Sequence, residues 1–141
     1  MTWDSKKLKM RERMECSMAL KCPSIDVHLA GFKKYQQAFS DEKLLKSVVK
    51  SQKVLDSVKA LFKGIWSLED LHLNGAEVNQ IVDKAIKNPH GYVLKPQKEG
   101  GGNNFYDQEL KARLSKAKKS LSANDPLRTY LIMERINPPM I

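Results

Sequence analysis

The chain has 141 residues, 41% of them hydrophobic and 29% charged, enough to bury a core and ordinary for a globular domain. No run of eighteen apolar residues occurs and no apolar leader follows Met1-Thr2-Trp3, so no membrane span or secretion signal is expected and the cytoplasm is the expected compartment. The net charge of +9 lies mostly in residues 1–63 (14 basic against 7 acidic), but the lysines are spread along helical faces without interleaved aromatics, so no nucleic-acid partner is expected.

Residues 4–20 read as a helix ended by Pro23, with Met10, Met14 and Met18 stacked four apart on one face. Such a stripe reads as adaptable core filler, with a groove for a partner as the alternative. Cys16 and Cys22 are too few and wrongly spaced for a disulfide framework or zinc site, and His28, His72 and His90 are scattered. A short segment from Pro23 closes at Leu29-Ala30-Gly31, and Phe32 to Gln37 opens another helix. Ser40 precedes Asp41 and Glu42 as a capped helix start, with Leu44, Leu45, Val48 and Val49 on one face. A second run, Val54, Leu55, Val58, Leu61 and Phe62, shifts phase after Ser51-Gln52, which fits two helices or one kinked helix. Asn74 reads as the cap of a helix over 75–87, with Glu77 in its first turn and Val78, Ile81, Val82, Ala85 and Ile86 on its apolar face; Asn88-Pro89 stops it.

Tyr92–Lys95 has strand propensity, an amphipathic helix is expected over 107–121, and Arg128–Ile136 reads as a second strand. The expected fold is α/β, with Tyr92–Lys95 and Thr129–Glu134 antiparallel in a small sheet and the helices over 75–87 and 107–121 packed nearby. Between the first strand and the last helix runs Lys95-Pro96-Gln97-Lys98-Glu99-Gly100-Gly101-Gly102-Asn103-Asn104-Phe105-Tyr106. Three adjacent glycines are costly to order, so stability alone gives no reason for them. They do supply unobstructed backbone N–H groups able to hold an anion, with Lys95 and Lys98 adding charge and Glu99 able to hold the magnesium that accompanies a triphosphate. A plain surface turn is the bland alternative. The spacing matches neither a P-loop nor G-x-G-x-x-G.

The string Val93 to Asn104 closely resembles the glycine-rich loop of eukaryotic-type glutathione synthetases, which are ATP-grasp ligases. Arg11, Glu15, Ser17, Ala19 and Lys21-Cys22-Pro23 are similar to the same family, as is Leu29-Ala30-Gly31 followed by Lys33-Lys34. The resemblance runs from about Arg11 to Pro138 and matches only an interior part of the longer family sequence. It implies a partial ATP-grasp-like fold in which residues 1–31 correspond to the end of the substrate domain and 32–141 to part of the nucleotide-binding region, with its loop at 95–106. ATP contacts are implied for Lys33, for Lys95 through Tyr106, and for Met133, Glu134, Arg135 and Ile136, whose backbone would meet adenine while Val93 and Ile136 sandwich it. Lys95 and the amides of Gly100 and Gly101 would serve catalysis, and Glu99 would hold Mg²⁺. Departures are Phe32 where a small residue is usual, Lys98 in place of arginine and Phe105 in place of leucine.

The reaction so implied joins γ-glutamylcysteine to glycine with ATP, in an enzyme that is homodimeric at full length. This chain is expected to carry the ATP and magnesium half-site and to be inactive alone. Two other readings are a non-catalytic ATP-grasp relative acting as a binding module, and a basic interaction domain.

Overall fold

In the computed structural model, which describes residues 4–72, 75–98 and 101–139, the chain divides into two units, Met1–Phe32 and Lys33–Ile141. In the first, helix α1 (Ser5–Glu15) starts where the Asp4 carboxylate accepts the Lys7 N–H at 2.8 Å. It stops at Glu15, well short of Pro23. The Ser17 N–H and hydroxyl both donate to the Met14 carbonyl, at 3.3 and 2.7 Å, and the Lys21 ammonium donates to the Ser17 carbonyl, so local hydrogen bonds close the helix end before proline is reached. Met10, Met14 and Met18 are 58%, 60% and 100% exposed, so the methionine stripe is not the core filler the pattern suggested. Helix α2 (Ile25–Ala30) ends at Gly31.

The second unit opens with three short helices, α3 (Lys33–Phe39), α4 (Glu42–Val48) and α5 (Gln52–Leu61). Ser40 is not the cap of α4: its hydroxyl donates to the Gln37 carbonyl at 2.6 Å and closes α3. Asp41, with a charged acceptor, takes the Lys43 and Leu44 N–H groups at 2.7 and 3.2 Å. Ser51 caps α5, which settles the phase shift as two helices. A strand absent from the sequence reading follows, β1 (Ile65–Ser67), then α6 (Leu68–His72) and α7 (Ala76–Lys87). Gly75 occupies the N-cap position of α7, whereas Asn74, expected there, lies outside the described residues.

Strand β2 (Tyr92–Lys95) stands where expected, and α8 spans Asp107–Lys119. The last strand, β3 (Leu131–Glu134), is shorter than the run from Arg128 to Ile136. Asp125 accepts the Leu127 N–H at 2.8 Å and folds Pro126–Thr129 into a 3-10 turn, which removes Arg128 and Thr129 from the strand.

The three strands pair antiparallel in the order β1-β3-β2. Their register gives the sheet two distinct faces, because alternate side chains point to opposite sides. Trp66, Ile132 and Leu94 form a row on one face, and Ile65, Met133 and Val93 a row on the other. The first row packs into the core with Val78, Val82 and Ala85 of α7 and Leu110, Leu114 and Ala117 of α8. Leu94, Ile132, Leu110, Leu114, Val82 and Ala85 have no exposure. At about 1.5–3 kcal/mol for each large side chain, this burial is the main favourable term holding sheet to helices. It leaves the Val93 face for other use.

Candidate functional site

A cavity of about 540 Å³ lies over the Ile65–Met133–Val93 row. It is also lined by Lys95, by Leu61, Phe62 and Lys63 on the stretch from α5 to β1, by Gln36 of α3, by Tyr106, and by Glu134, Arg135 and Ile136. One side is thus an apolar sheet surface, and the rim carries Lys63, Lys95 and Arg135 against the single carboxylate of Glu134. Such a site suits a flat apolar group bearing negative charge.

Alternation along β2 places Val93 and Lys95 on the cavity face and sends Leu94 into the core. The same alternation on β3 brings Met133 to the cavity and buries Ile132. At the end of β3, the Glu134 N–H donates to the Gly64 carbonyl at 2.9 Å, and just beyond it the Arg135 N–H donates to the Gly91 carbonyl at 2.9 Å. Those two backbone donors are therefore occupied within the fold. Among the described residues, no partner takes the Ile136 N–H. The Glu134 carboxylate accepts the Gly64 N–H at 3.2 Å. Burial, helped by the Glu134 charge, raises the Tyr92 phenol above its usual range.

The glycine loop is closed at its base by a bridge in which Leu94 and Phe105 exchange N–H···O bonds of 3.0 and 2.9 Å. Phe105 itself faces away from the cavity, stacked on Tyr130 at 5.4 Å and covered by the Arg113 guanidinium at 3.6 Å. Pro96 is buried and Lys98 exposed. The Gln97 side-chain oxygen accepts the Lys34 N–H at 3.4 Å, and the Lys33 ammonium donates to the Lys98 carbonyl at 3.1 Å. The start of α3 is thereby drawn to the loop, 65 residues away in the chain. Gly101–Asn103 form a 3-10 turn, and a Cβ at Gly102 would meet no atom within 4 Å. Packing therefore does not demand glycine at 102. The Asn104 amide donates to the Tyr106 hydroxyl at 3.2 Å.

Of the residues expected at the site, Lys95, Tyr106, Met133, Glu134, Arg135 and Ile136 line the cavity together with Val93. Lys33, Pro96, Gln97, Lys98, Gly102, Asn103 and Asn104 do not line it and belong to the loop and its anchor. Glu99 and Gly100 lie outside the described residues. Among the described residues no three acidic, histidine or cysteine side chains converge as a metal cluster. Gln36, Lys63 and Ile65 also line the cavity without being expected there from sequence, and Leu61 and Phe62, which line it too, read in the sequence only as part of an apolar helical run. Recognition of β1 would have drawn attention to Ile65 and the adjoining Lys63, but not to Gln36 on α3.

Comparison with known proteins gives the family of the chain. The family model described as eukaryotic glutathione synthase, ATP binding domain, matches residues 3–141. The chain is 42% identical over 126 residues to glutathione synthetase of Bos taurus, covering 89% of this chain and 25% of that protein. It is 39% identical over 130 residues to the chloroplastic glutathione synthetase of Solanum lycopersicum (92% of this chain, 22% of that one). With the glutathione synthetase of Dictyostelium discoideum the identity is 39% over 131 residues (91% and 25%). The chain thus spans about a quarter of the length of the curated relatives it matches. Because the family model takes in residues 3–141, nearly the whole chain, the chain belongs to the eukaryotic glutathione synthase family, in the region of the ATP-binding domain.

Proposed function

We propose that this chain holds Mg-ATP in the cavity over the Val93 face, as the nucleotide half-site of an enzyme that ligates γ-glutamylcysteine to glycine. The observation that carries the reading is the convergence of Lys95, Tyr106 and Met133–Ile136 on one cavity from elements far apart in the chain. The purine would lie on the Val93 and Met133 surface with Ile136 closing over it, and the Ile136 N–H would read its edge. Lys95, Gly100 and Gly101 would hold the phosphates, with Gly102, Asn103 and Asn104 closing the loop and Lys33 steadying its backbone. Among residues 92–106, Glu99 is the only carboxylate, the donor type that suits Mg²⁺ shared with phosphate oxygens. When bound, the ion would neutralise charge on the phosphates.

In the whole enzyme, the dipeptide carboxylate oxygen would attack the terminal phosphorus and release ADP. The glycine nitrogen would then attack the acyl carbon, releasing phosphate and a proton. Lys95 and the loop amides contribute positioning and charge stabilisation, which is most of what phosphoryl transfer requires. The partial ATP-grasp-like fold belongs to this reading. So do the assignment of residues 1–31 to the end of a substrate domain and of 32–141 to the nucleotide region, a homodimer at full length, and a cytoplasmic setting, in keeping with the exposed free thiols of Cys16 and Cys22.

Two assays test it. Titration of Mg-ATP into the 141-residue chain by two-dimensional NMR should move Lys95, Met133 and Ile136 signals with a Kd near or above the millimolar range, since part of the phosphate contacts lie elsewhere in the family sequence. A folded chain whose signals stay still would refute the nucleotide site. In the second assay, ADP release with Mg-ATP, γ-glutamylcysteine and glycine should be absent. Release that needs both amino substrates and disappears in Glu99→Gln would show instead that this chain assembles a complete site.

A further inference from the structure

Among the described residues, Asp107 is the non-glycine residue with a positive φ, at 49°. That region is sterically disfavoured for residues with a Cβ, although aspartate and asparagine tolerate it better than most. Strain of this kind persists where surrounding contacts over-determine the conformation. Here the Asp107 carboxylate accepts from His90 Nδ1 at 2.6 Å and lies 3.5 Å from Arg135 Nη1. An ionised carboxylate can only accept, so His90 Nδ1 carries the hydrogen. The Arg135 guanidinium in turn sits 5.6 Å from the centre of the Tyr106 ring, within cation–π range. Arg135 and Tyr106 both line the cavity, and Asp107 does not. The side chains of Asp107 and Arg135 are 41% and 39% exposed, and pairs so exposed add little to fold stability. Asp107 also opens α8, where a first-turn carboxylate contributes about 0.3–1 kcal/mol, but that role needs neither the contact to Arg135 nor a strained backbone.

We propose that Asp107 is a positioning residue for nucleotide binding, which holds the Arg135 guanidinium against the Tyr106 ring so that an ordered cation and an ordered ring border the cavity before the nucleotide arrives. The inference rests on the nucleotide reading above. An arginine beyond the end of a strand otherwise samples many rotamers, and ordering it on binding weakens affinity; a carboxylate braced by His90 orders it beforehand. Asp107 acts through Arg135 and needs no contact with the nucleotide.

The test is the same Mg-ATP titration on the 141-residue chain and on Asp107→Gly, Asp107→Asn, Arg135→Met and the Asp107→Asn/Arg135→Met double variant, with thermal melts of each. Glycine relieves the left-handed strain and asparagine tolerates it, while both lose the first-turn charge of α8, so both Asp107 variants should stay folded with melting temperatures close to the parent and yet bind nucleotide about fivefold more weakly. In the Arg135→Met background, Asp107→Asn should cause no further loss, because the residue through which it acts is gone. Unchanged affinity in Asp107→Asn overturns the proposal and leaves the nucleotide site standing. An equal loss with and without Arg135 overturns it too, since Asp107 would then act by another route. A folded parent that binds no nucleotide overturns the nucleotide reading, and this inference with it.

Discussion

Leu94 and Lys95 are neighbours in β2 whose side chains leave opposite faces of the sheet, so replacing each by alanine should separate folding from binding. Leu94 has no exposure and packs among the side chains of α7 and α8. Leu94→Ala removes its transfer free energy and leaves a cavity, and about 2–5 kcal/mol of stability should be lost. Lys95 is half-buried on the cavity wall, and no carboxylate among the described residues lies within ion-pair distance of its ammonium. Lys95→Ala should therefore change stability by less than about 0.5 kcal/mol. A hydrogen bond from a charged donor to phosphate is worth about 1.5–3 kcal/mol, so the same change should weaken Mg-ATP binding roughly tenfold to a hundredfold. Urea unfolding followed by circular dichroism gives the first quantity, and NMR titration gives the second. If Lys95→Ala unfolds the chain, or Leu94→Ala weakens nucleotide binding while stability holds, the assignment of the two sheet faces is wrong.

A Cβ at position 64 would lie 1.9 Å from Trp66 Cη2, so Gly64→Ala should push the indole aside and break its 2.9 Å bond to Glu77. A loss of about 1–3 kcal/mol and a shifted tryptophan emission spectrum in a Trp3→Phe background are expected, and an unaltered spectrum would show that the ring does not cover Gly64. Glu42 on α4 accepts from Lys46 at 2.6 Å and from Lys59 of α5 at 2.8 Å, and hydrogen bonds and charge from these two ammonium groups hold its carboxyl down to about 2. A folded pKa below the unfolded value means that its stabilising contribution is present above the usual carboxylate range and is lost as pH falls toward about 2. An NMR titration of the Glu42 carboxyl should show this low midpoint, moving upward in Lys59→Met and at high salt; an ordinary midpoint would remove the link between α4 and α5.

Local chemistry made much of this protein legible without coordinates. The 3.6-residue periodicity of α7 and α8 identified their buried faces, because a helix lying on a sheet must show it a continuous apolar stripe. The β-branched and aromatic run ending in a lysine identified β2, and the glycine triplet marked the loop, because no packing argument accounts for glycine at such cost. Other features depended on what each segment meets in space. Three residues are too few for alternation to announce β1, which exists because Ile65–Ser67 complete the edge of β3. Ser40 and Asp41 are both good caps, and only the geometry between α3 and α4 decided that the hydroxyl would close one helix and the carboxylate open the next. The methionine stripe carries the same spacing whether buried or exposed, so its exposure could come only from the fold. The sequence named Lys95 and Met133–Ile136 as separate motifs. Antiparallel register between β2 and β3 put Lys95 and Met133 on one face with Val93, the residues following β3 turned along the same cavity, and the stretch between α5 and β1 supplied the opposite rim with Phe62 and Lys63, residues whose types alone carry no such signal.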